Sequence, residues 1–174
     1  TKAAQAFMID AETGTVLFSK KPDEPFPPAS LAKLMTVELA FRALKDGELS
    51  LQDEFTISEN AWRTGGAPSG TATMFAEVNS AVPLEALLKA IIVQSANDGS
   101  IAVAESMAGS EEGFARRMTD RARDLGLDVS TFRNSTGLPA DGQHITSREI
   151  TMLALHLWRE YPAYYHYFNL PGFE

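Results

Sequence analysis

Cysteine is absent from the 174 residues, and with it go disulfides, thiolate metal sites and a cysteine nucleophile, so any covalent chemistry must run through an oxygen or an amine. Histidine is scarce, and His144, His156 and His166 are scattered with no two at ligand spacing, so no metal is expected. Basic residues are outnumbered 15 to 23. The resulting formal charge of −8 leaves no electrostatic footprint for nucleic acid and disfavours an anionic membrane surface. No apolar run reaches the roughly 18 residues of a membrane span. The longest candidate, residues 84–93, is broken by Glu85 and Lys89. Thr1-Lys2-Ala3 carries no signal-peptide pattern, which leaves two readings open: a cytoplasmic protein, or one whose targeting segment has been removed.

What is present has the composition of an ordinary globular domain, 44% hydrophobic and 22% charged, with no internal repeat, low-complexity tract or linker. Residues 4–10 and 15–19 alternate in polarity around Ala11-Glu12-Thr13-Gly14 and predict a β-hairpin. Pro22, Pro25, Pro27 and Pro28 then hold the chain extended, so a helix starts no earlier than about Ala29. Leu31, Leu34, Met35 and Leu39 carry that helix to Lys45, with Gly47 as its stop. Gly65, Gly66, Pro68 and Gly70 mark residues 61–75 as loop, with one short extended piece at 72–75. Pro83 suits a first helical position, and Leu84, Leu87, Leu88 and Ile91 follow on one face of a deeply buried helix. A further helix is expected from Asn97 or Asp98 to Met107, and another from a Ser110 cap, with Glu111 and Glu112 in its first turn, to a stop at Gly126. Thr146 and Glu149 have capping-box spacing ahead of an apolar stripe of Ile150, Leu153, Ala154, Leu157 and Trp158 that ends before Pro162. Tyr161, Tyr164, Tyr165 and Tyr167 read as packing rather than as a carbohydrate platform.

Ser30 and Lys33 stand one turn apart at the start of the first helix, so the amine can reach the hydroxyl. Unpaired N–H groups and positive potential at a helix start would also stabilise a developing oxyanion. Serine needs a base, and lysine serves only if burial or a neighbouring cation keeps part of its amine neutral near pH 7. On its own the pair reads more simply as a capping serine followed by a solvated lysine, since chance supplies about half a Ser-x-x-Lys match in such a chain. Ser-x-Asn occurs twice, at Ser95-Ala96-Asn97 and Ser58-Glu59-Asn60. The first follows the buried helix in a short polar turn able to project a hydroxyl and an amide into a cleft. The second reads as a helix cap, with Glu59 in the first turn.

Ser-x-x-Lys and Ser-x-Asn are motifs of penicillin-binding proteins and class A β-lactamases, whose third motif is Lys-Thr-Gly. The words around them here are more specific. Pro28-Ala29-Ser30-Leu31-Ala32-Lys33-Leu34-Met35-Thr36 and Gln94-Ser95-Ala96-Asn97-Asp98 resemble the corresponding segments of serine D-alanyl-D-alanine carboxypeptidases, the low-molecular-mass penicillin-binding proteins. Ile9-Asp10-Ala11-Glu12-Thr13-Gly14, Gly70-Thr71-Ala72-Thr73-Met74-Phe75, and Asn134-Ser135-Thr136-Gly137-Leu138 through Asp141-Gly142 agree in order and spacing, so the likeness spans nearly the whole chain. It implies an α+β fold of the penicillin-binding-protein and β-lactamase type. Residues 1–174 would form a single incomplete domain, the helical part and the N-terminal β-hairpin without most of the antiparallel sheet. The resemblance also implies Ser30 as the acylated nucleophile, Lys33 as its proton acceptor, Ser95 as a proton relay toward the leaving amine, and Asn97 as a contact to the substrate amide and the lysine. It implies a peptidoglycan stem peptide as substrate, β-lactams as acylating inhibitors, no cofactor, a periplasmic or otherwise extracytoplasmic bacterial location, and room for a membrane anchor outside this chain. His144 falls in the loop that borders the cleft in the family.

Two departures stand out. Ala96 occupies a position where relatives usually carry glycine, and no Lys-Thr-Gly follows Asn97. Arg63-Thr64-Gly65 and Lys45-Asp46-Gly47 precede Asn97 and read as loop or helix stop. The missing element would supply a cation for the substrate carboxylate and half of the oxyanion hole. The 174 residues alone are therefore expected to be inactive, as the N-terminal portion of a longer protein or one completed by another chain, with strand edges and apolar faces exposed. Two alternatives stay open. A class A β-lactamase would need a glutamate to activate the deacylating water, and residues 131–134 offer none, Glu111, Glu112 and Glu149 being helix-start residues. A non-catalytic module of the same fold would bind cell-wall peptide without chemistry.

Overall fold

The computed structural model describes residues 1–172, and it opens on the expected hairpin. β1 (Ala6–Ile9) and β2 (Val16–Lys20) pair antiparallel, with a register irregularity between Met8 and Ile9. The Asp10 carboxylate accepts from the Thr13 N–H and hydroxyl, both at 2.7 Å, which fixes the turn that Gly14 closes at φ 72°. The proline-rich stretch runs extended, and Phe26 makes a lone antiparallel bridge to Ile145.

The first helix divides in two. Residues Ala29–Ala32 form a single 3-10 turn, and the α-helix proper, α1 (Lys33–Lys45), begins at the lysine. Ser30 therefore lies in the turn that leads into the helix rather than inside it. Met35, Val37, Ala40, Phe41 and Leu44 are all buried, on more than one face, as befits a helix at the centre of a core. Around it stand α3 (Leu84–Gln94), α4 (Asn97–Ala108), α5 (Glu111–Asp124) and α6 (Ser147–Glu160), each packed on α1. α5 and α6 start at the predicted Ser110 and Thr146 caps, whose hydroxyls accept from the Gly113 and Glu149 N–H groups. α7 (Pro162–Tyr165) and a last 3-10 turn, His166–Asn169, bring the tyrosines against the core, where Tyr161, Tyr164 and Tyr167 ring Phe41 at centroid distances of 5.2 to 6.4 Å.

Four expectations are corrected. Residues 61–65 are helical, within α2 (Glu59–Gly65), because Ser58 caps them and their one glycine, Gly65, answers a packing demand instead of a loop. A Cβ on Gly65 would stand 2.5 Å from the Asp98 nitrogen, so α2 can lie against the start of α4 only with glycine there. Residues 72–75 form no strand, whereas an unforeseen pair does: β3 (Glu54–Thr56) runs antiparallel to β4 (Ala81–Pro83). Pro83 accordingly ends a strand and precedes α3, one position before the first helical residue. Finally, Glu149 does not close a reciprocal capping box. Its carboxylate turns away to accept from the Val129 and Ser130 N–H groups at 2.9 and 2.7 Å.

Among the described residues each sheet has two strands, and β2 leaves one edge unpaired. Val16, Leu17 and Phe18 on that strand are 52%, 58% and 42% exposed, so the anticipated apolar surface is present. On the far side of α1 the wholly buried Glu38 carboxylate accepts from the Arg121 guanidinium at 2.8 and 3.0 Å, the Tyr161 hydroxyl at 2.8 Å and the His156 ring, tying three helices together.

Candidate active site

The site begins with a strained backbone position. Ala29 has φ 46°, in the left-handed region that disfavours a side chain, and it turns the extended proline segment abruptly into the 3-10 turn that carries Ser30. Gly137 lies directly against it: a Cβ there would sit 1.7 Å from the Ala29 carbonyl oxygen, and its own φ is +82°. Only glycine admits this approach, which brings the 134–137 loop beneath the serine.

Lys33, the first residue of α1, is 5% exposed. Its Nζ donates to the Thr136 carbonyl at 2.7 Å and lies 3.4 Å from Ser30 Oγ. Burial disfavours the ammonium and brings its pKa down from 10.5 to about 8. At pH 7 about a tenth of such lysines would be neutral, with a lone pair free to take a proton. The carbonyl that holds the amine is itself held. Asn134 Oδ1 accepts from the Gly137 N–H at 2.7 Å, and Thr36 donates to the Ser135 carbonyl at 2.7 Å. The Glu111 carboxylate accepts from the Ser135 N–H at 3.1 Å, so this helix-start glutamate also anchors the loop.

Ser95 arrives from the opposite side. It caps the C-terminus of α3 in the left-handed conformation, φ 59°, and its hydroxyl lies 2.9 Å from Ser30 Oγ. Ala96, fully buried, then turns the chain so that α4 starts at once with Asn97. Ser30, Lys33 and Ser95 thus converge on one point, across 65 residues of sequence. Of the two contacts expected of Asn97, the one to the lysine is not made among the described residues. The Asn97 side chain donates to Thr71 Oγ1 at 2.9 Å, and its Oδ1 is buried with no partner. Ser58 caps α2 as read.

Sequence reasoning assigned no role to Thr136, Gly137 or Thr71, although each lies in a word quoted for the family resemblance. Thr136 acts through its backbone, which no side-chain pattern reveals. The approach of Gly137 to Ala29 was signalled only by a glycine following Asn-Ser-Thr. Beside the three converging groups opens a mostly apolar cavity of about 620 Å³, lined by Phe26, Pro28, Leu34, Ile91 and Ser95 among others. A serine hydroxyl between a largely dehydrated amine and a second hydroxyl, at the mouth of such a cavity, is equipped for acyl transfer.

The profile of the D-alanyl-D-alanine carboxypeptidase family matches residues 1–173. D-alanyl-D-alanine carboxypeptidase DacC from Escherichia coli (strain K12) is 38% identical over 159 residues, covering 91% of this chain and 40% of its own length. DacF from Bacillus subtilis (strain 168), of the same name, is 35% identical over 156 residues, covering 90% and 39%. The chain therefore spans about two fifths of these relatives. Penicillin binding protein 5 from Haemophilus influenzae superposes with a TM-score of 0.93 at 30% identity, over 98% of this chain and 49% of that one. Penicillin-Binding Protein D2 from Listeria monocytogenes, solved in an ampicillin-bound form, gives 0.79 at 26% identity, over 92% and 63%. The α+β arrangement is thus shared with the penicillin-binding proteins.

Proposed function

The chain belongs to the D-alanyl-D-alanine carboxypeptidase family, and on that premise we propose that the protein carrying it removes the terminal D-alanine from peptidoglycan stem peptides through an ester on Ser30. The observation that carries this reading is the position of Ser30 Oγ, 3.4 Å from an amine whose pKa is lowered to about 8 and 2.9 Å from the Ser95 hydroxyl.

Ser30 attacks the carbonyl of the scissile D-alanyl-D-alanine bond and its proton passes to neutral Lys33. The ammonium so formed keeps its donation to the Thr136 carbonyl. As the tetrahedral intermediate collapses, the C–N bond breaks and the leaving amine takes a proton through Ser95, which the Lys33 ammonium replaces. The Ser30 backbone N–H, in the first turn where no intrahelical acceptor exists, serves as one donor to the oxyanion. Water then attacks the ester, with neutral Lys33 again taking the proton; the bond from the acyl carbon to Ser30 Oγ breaks, Lys33 returns the proton to that oxygen, and the shortened peptide leaves as a carboxylate. β-Lactams acylate the same oxygen and hydrolyse more slowly.

Lys-Thr-Gly is absent from the sequence. The cation for the substrate carboxylate and the second oxyanion donor would come from that element, so the 174 residues by themselves are inactive on this reading. The substrate places the enzyme outside the bacterial plasma membrane. No helix among the described residues is long and apolar enough to cross a membrane.

The test is release of D-alanine from a synthetic peptide ending in D-alanyl-D-alanine by the natural full-length protein. Release that disappears in Ser30→Ala and in Lys33→Met supports the reading; release that survives Ser30→Ala rejects it.

A further inference from the structure

Asn97 is held from one side by hydroxyl groups, and counting their protons determines which way its amide faces. Ser69 Oγ lies 2.7 Å from the Gly66 carbonyl oxygen and 2.7 Å from Thr71 Oγ1, and the Asn97 amide lies 2.9 Å from Thr71 Oγ1. Each hydroxyl has one proton to give. If Ser69 spends its proton on the Gly66 carbonyl, which can only accept, Thr71 must donate to Ser69, and Thr71 Oγ1 must accept from Asn97 Nδ2. That arrangement makes three hydrogen bonds. The reverse, Ser69 to Thr71 to Asn97 Oδ1, makes two. It also turns the Asn97 NH2 group into the buried space where the amide oxygen now has no partner. The first arrangement therefore prevails by one bond and avoids burying two unused donors.

Thr71 cannot drift out of this chain, because the segment around it is stitched to the start of α4. The Asn97 N–H donates to the Ala72 carbonyl at 2.8 Å, and the fully buried Asp98 carboxylate accepts from the Met74 N–H at 3.0 Å and the Thr73 hydroxyl at 2.6 Å. We propose that Thr71 and Ser69 are positioning residues for acylation: their one-way hydrogen-bond chain to the Gly66 carbonyl locks the Asn97 amide with its NH2 toward Thr71 and its unpaired oxygen turned away from it, the orientation in which Asn97 takes part in the reaction. The proposal rests on the reading of Asn97 as a substrate contact.

The test uses the natural full-length protein and a fluorescent penicillin, with the second-order acylation rate and the side-chain amide signals of Asn97 in ¹⁵N spectra as separate readouts. Those signals are assigned by their loss in Asn97→Ala. Thr71→Val keeps the shape but removes the acceptor, and should slow acylation roughly 10- to 100-fold. Thr71→Ser should restore it to within about threefold. Ser69→Ala frees the Thr71 proton to go the other way and should shift the Asn97 amide signals, as Thr71→Val does and Thr71→Ser does not. Wild-type rates and unmoved Asn97 signals in Thr71→Val would overturn the proposal, as would a Thr71→Ser variant as slow as Thr71→Val. Should Thr71→Val fail to fold, unmoved Asn97 signals in Ser69→Ala overturn it. If the wild type takes no penicillin label, the reading of Ser30 fails, and the amide signals still decide the orientation of Asn97.

Discussion

Raising the pH from 7 to 9 should speed acylation of Ser30 about tenfold, because the neutral fraction of a lysine with a pKa of about 8 climbs from roughly a tenth to roughly nine tenths over that interval. The cause is the burial of Lys33 among the 3-10 turn, the 134–137 loop and α1, at a cost of roughly 3 kcal/mol to its ammonium. On the natural full-length protein, the acylation rate by a fluorescent penicillin should rise with unit slope below pH 8 and level off above pH 9. Lys33→Arg, always protonated, should lose the rising limb and on the order of 10²- to 10⁴-fold in rate. The same burial has a stability counterpart with a definite sign. Because the native pKa is depressed, the unfolded state binds more protons between pH 8 and 10.5, so stability rises with pH across that window. From pH 8 to 10 the gain should be roughly 2 kcal/mol, read as the difference between wild type and Lys33→Met in urea melts. Tyr161 and Tyr167, both raised above the ordinary tyrosine value by burial, lower stability as the pH nears their unfolded value of 10.0, and taking the difference from Lys33→Met cancels their contribution. An acylation rate that is flat from pH 6 to 9, or whose midpoint lies near 10.5, would refute the assignment of Lys33 as the base.

Two further outcomes follow from the packing. Glu38→Gln should cost roughly 3 kcal/mol in urea melts at pH 7, because it leaves the Arg121 guanidinium facing a neutral amide. Burial pushes the Glu38 carboxyl up, but the hydrogen bonds from His156, Arg121 and Tyr161 and the Arg121 charge outweigh it and hold it below 4.5. Its contribution is thus present above pH 4.5, and the gap between variant and wild type should close as the pH falls through the depressed native value. A gap under about 0.5 kcal/mol at pH 7 would contradict the cluster's role. Gly137→Ala should lower stability by more than roughly 2 kcal/mol or displace Ser30 enough to slow acylation at least tenfold, since its Cβ would meet the Ala29 carbonyl at 1.7 Å. Wild-type melting and acylation together would refute the close approach.

The parts of this molecule that were legible in the sequence are those specified locally. Ser110 with two glutamates and Gly126 mark both ends of α5, and the strongly apolar face of α3 announces a buried helix. Ser30, Lys33 and Ser95 were found because the words around them are specific, and the structure brings their side chains together. What could not be read depends on distant partners. The burial that lowers the pKa of Lys33 comes with a carbonyl 103 residues away, and the setting of Asn97 depends on a hydroxyl 26 residues away. β3 and β4, at three residues each, are too short to display an alternating period. Gly65 misled because glycine is a turn signal and a packing device alike, and only the position of Asp98 separates the two.

The central claim is that the oxygen of Ser30 becomes acylated because Lys33 and Ser95 surround it. Mass spectrometry of proteolytic peptides from the natural protein after exposure to benzylpenicillin tests it most directly. The penicilloyl adduct is predicted on the peptide containing Ser30, absent from Ser30→Ala and unchanged in Ser58→Ala. An adduct on any other residue, or one that persists in Ser30→Ala, would contradict the account.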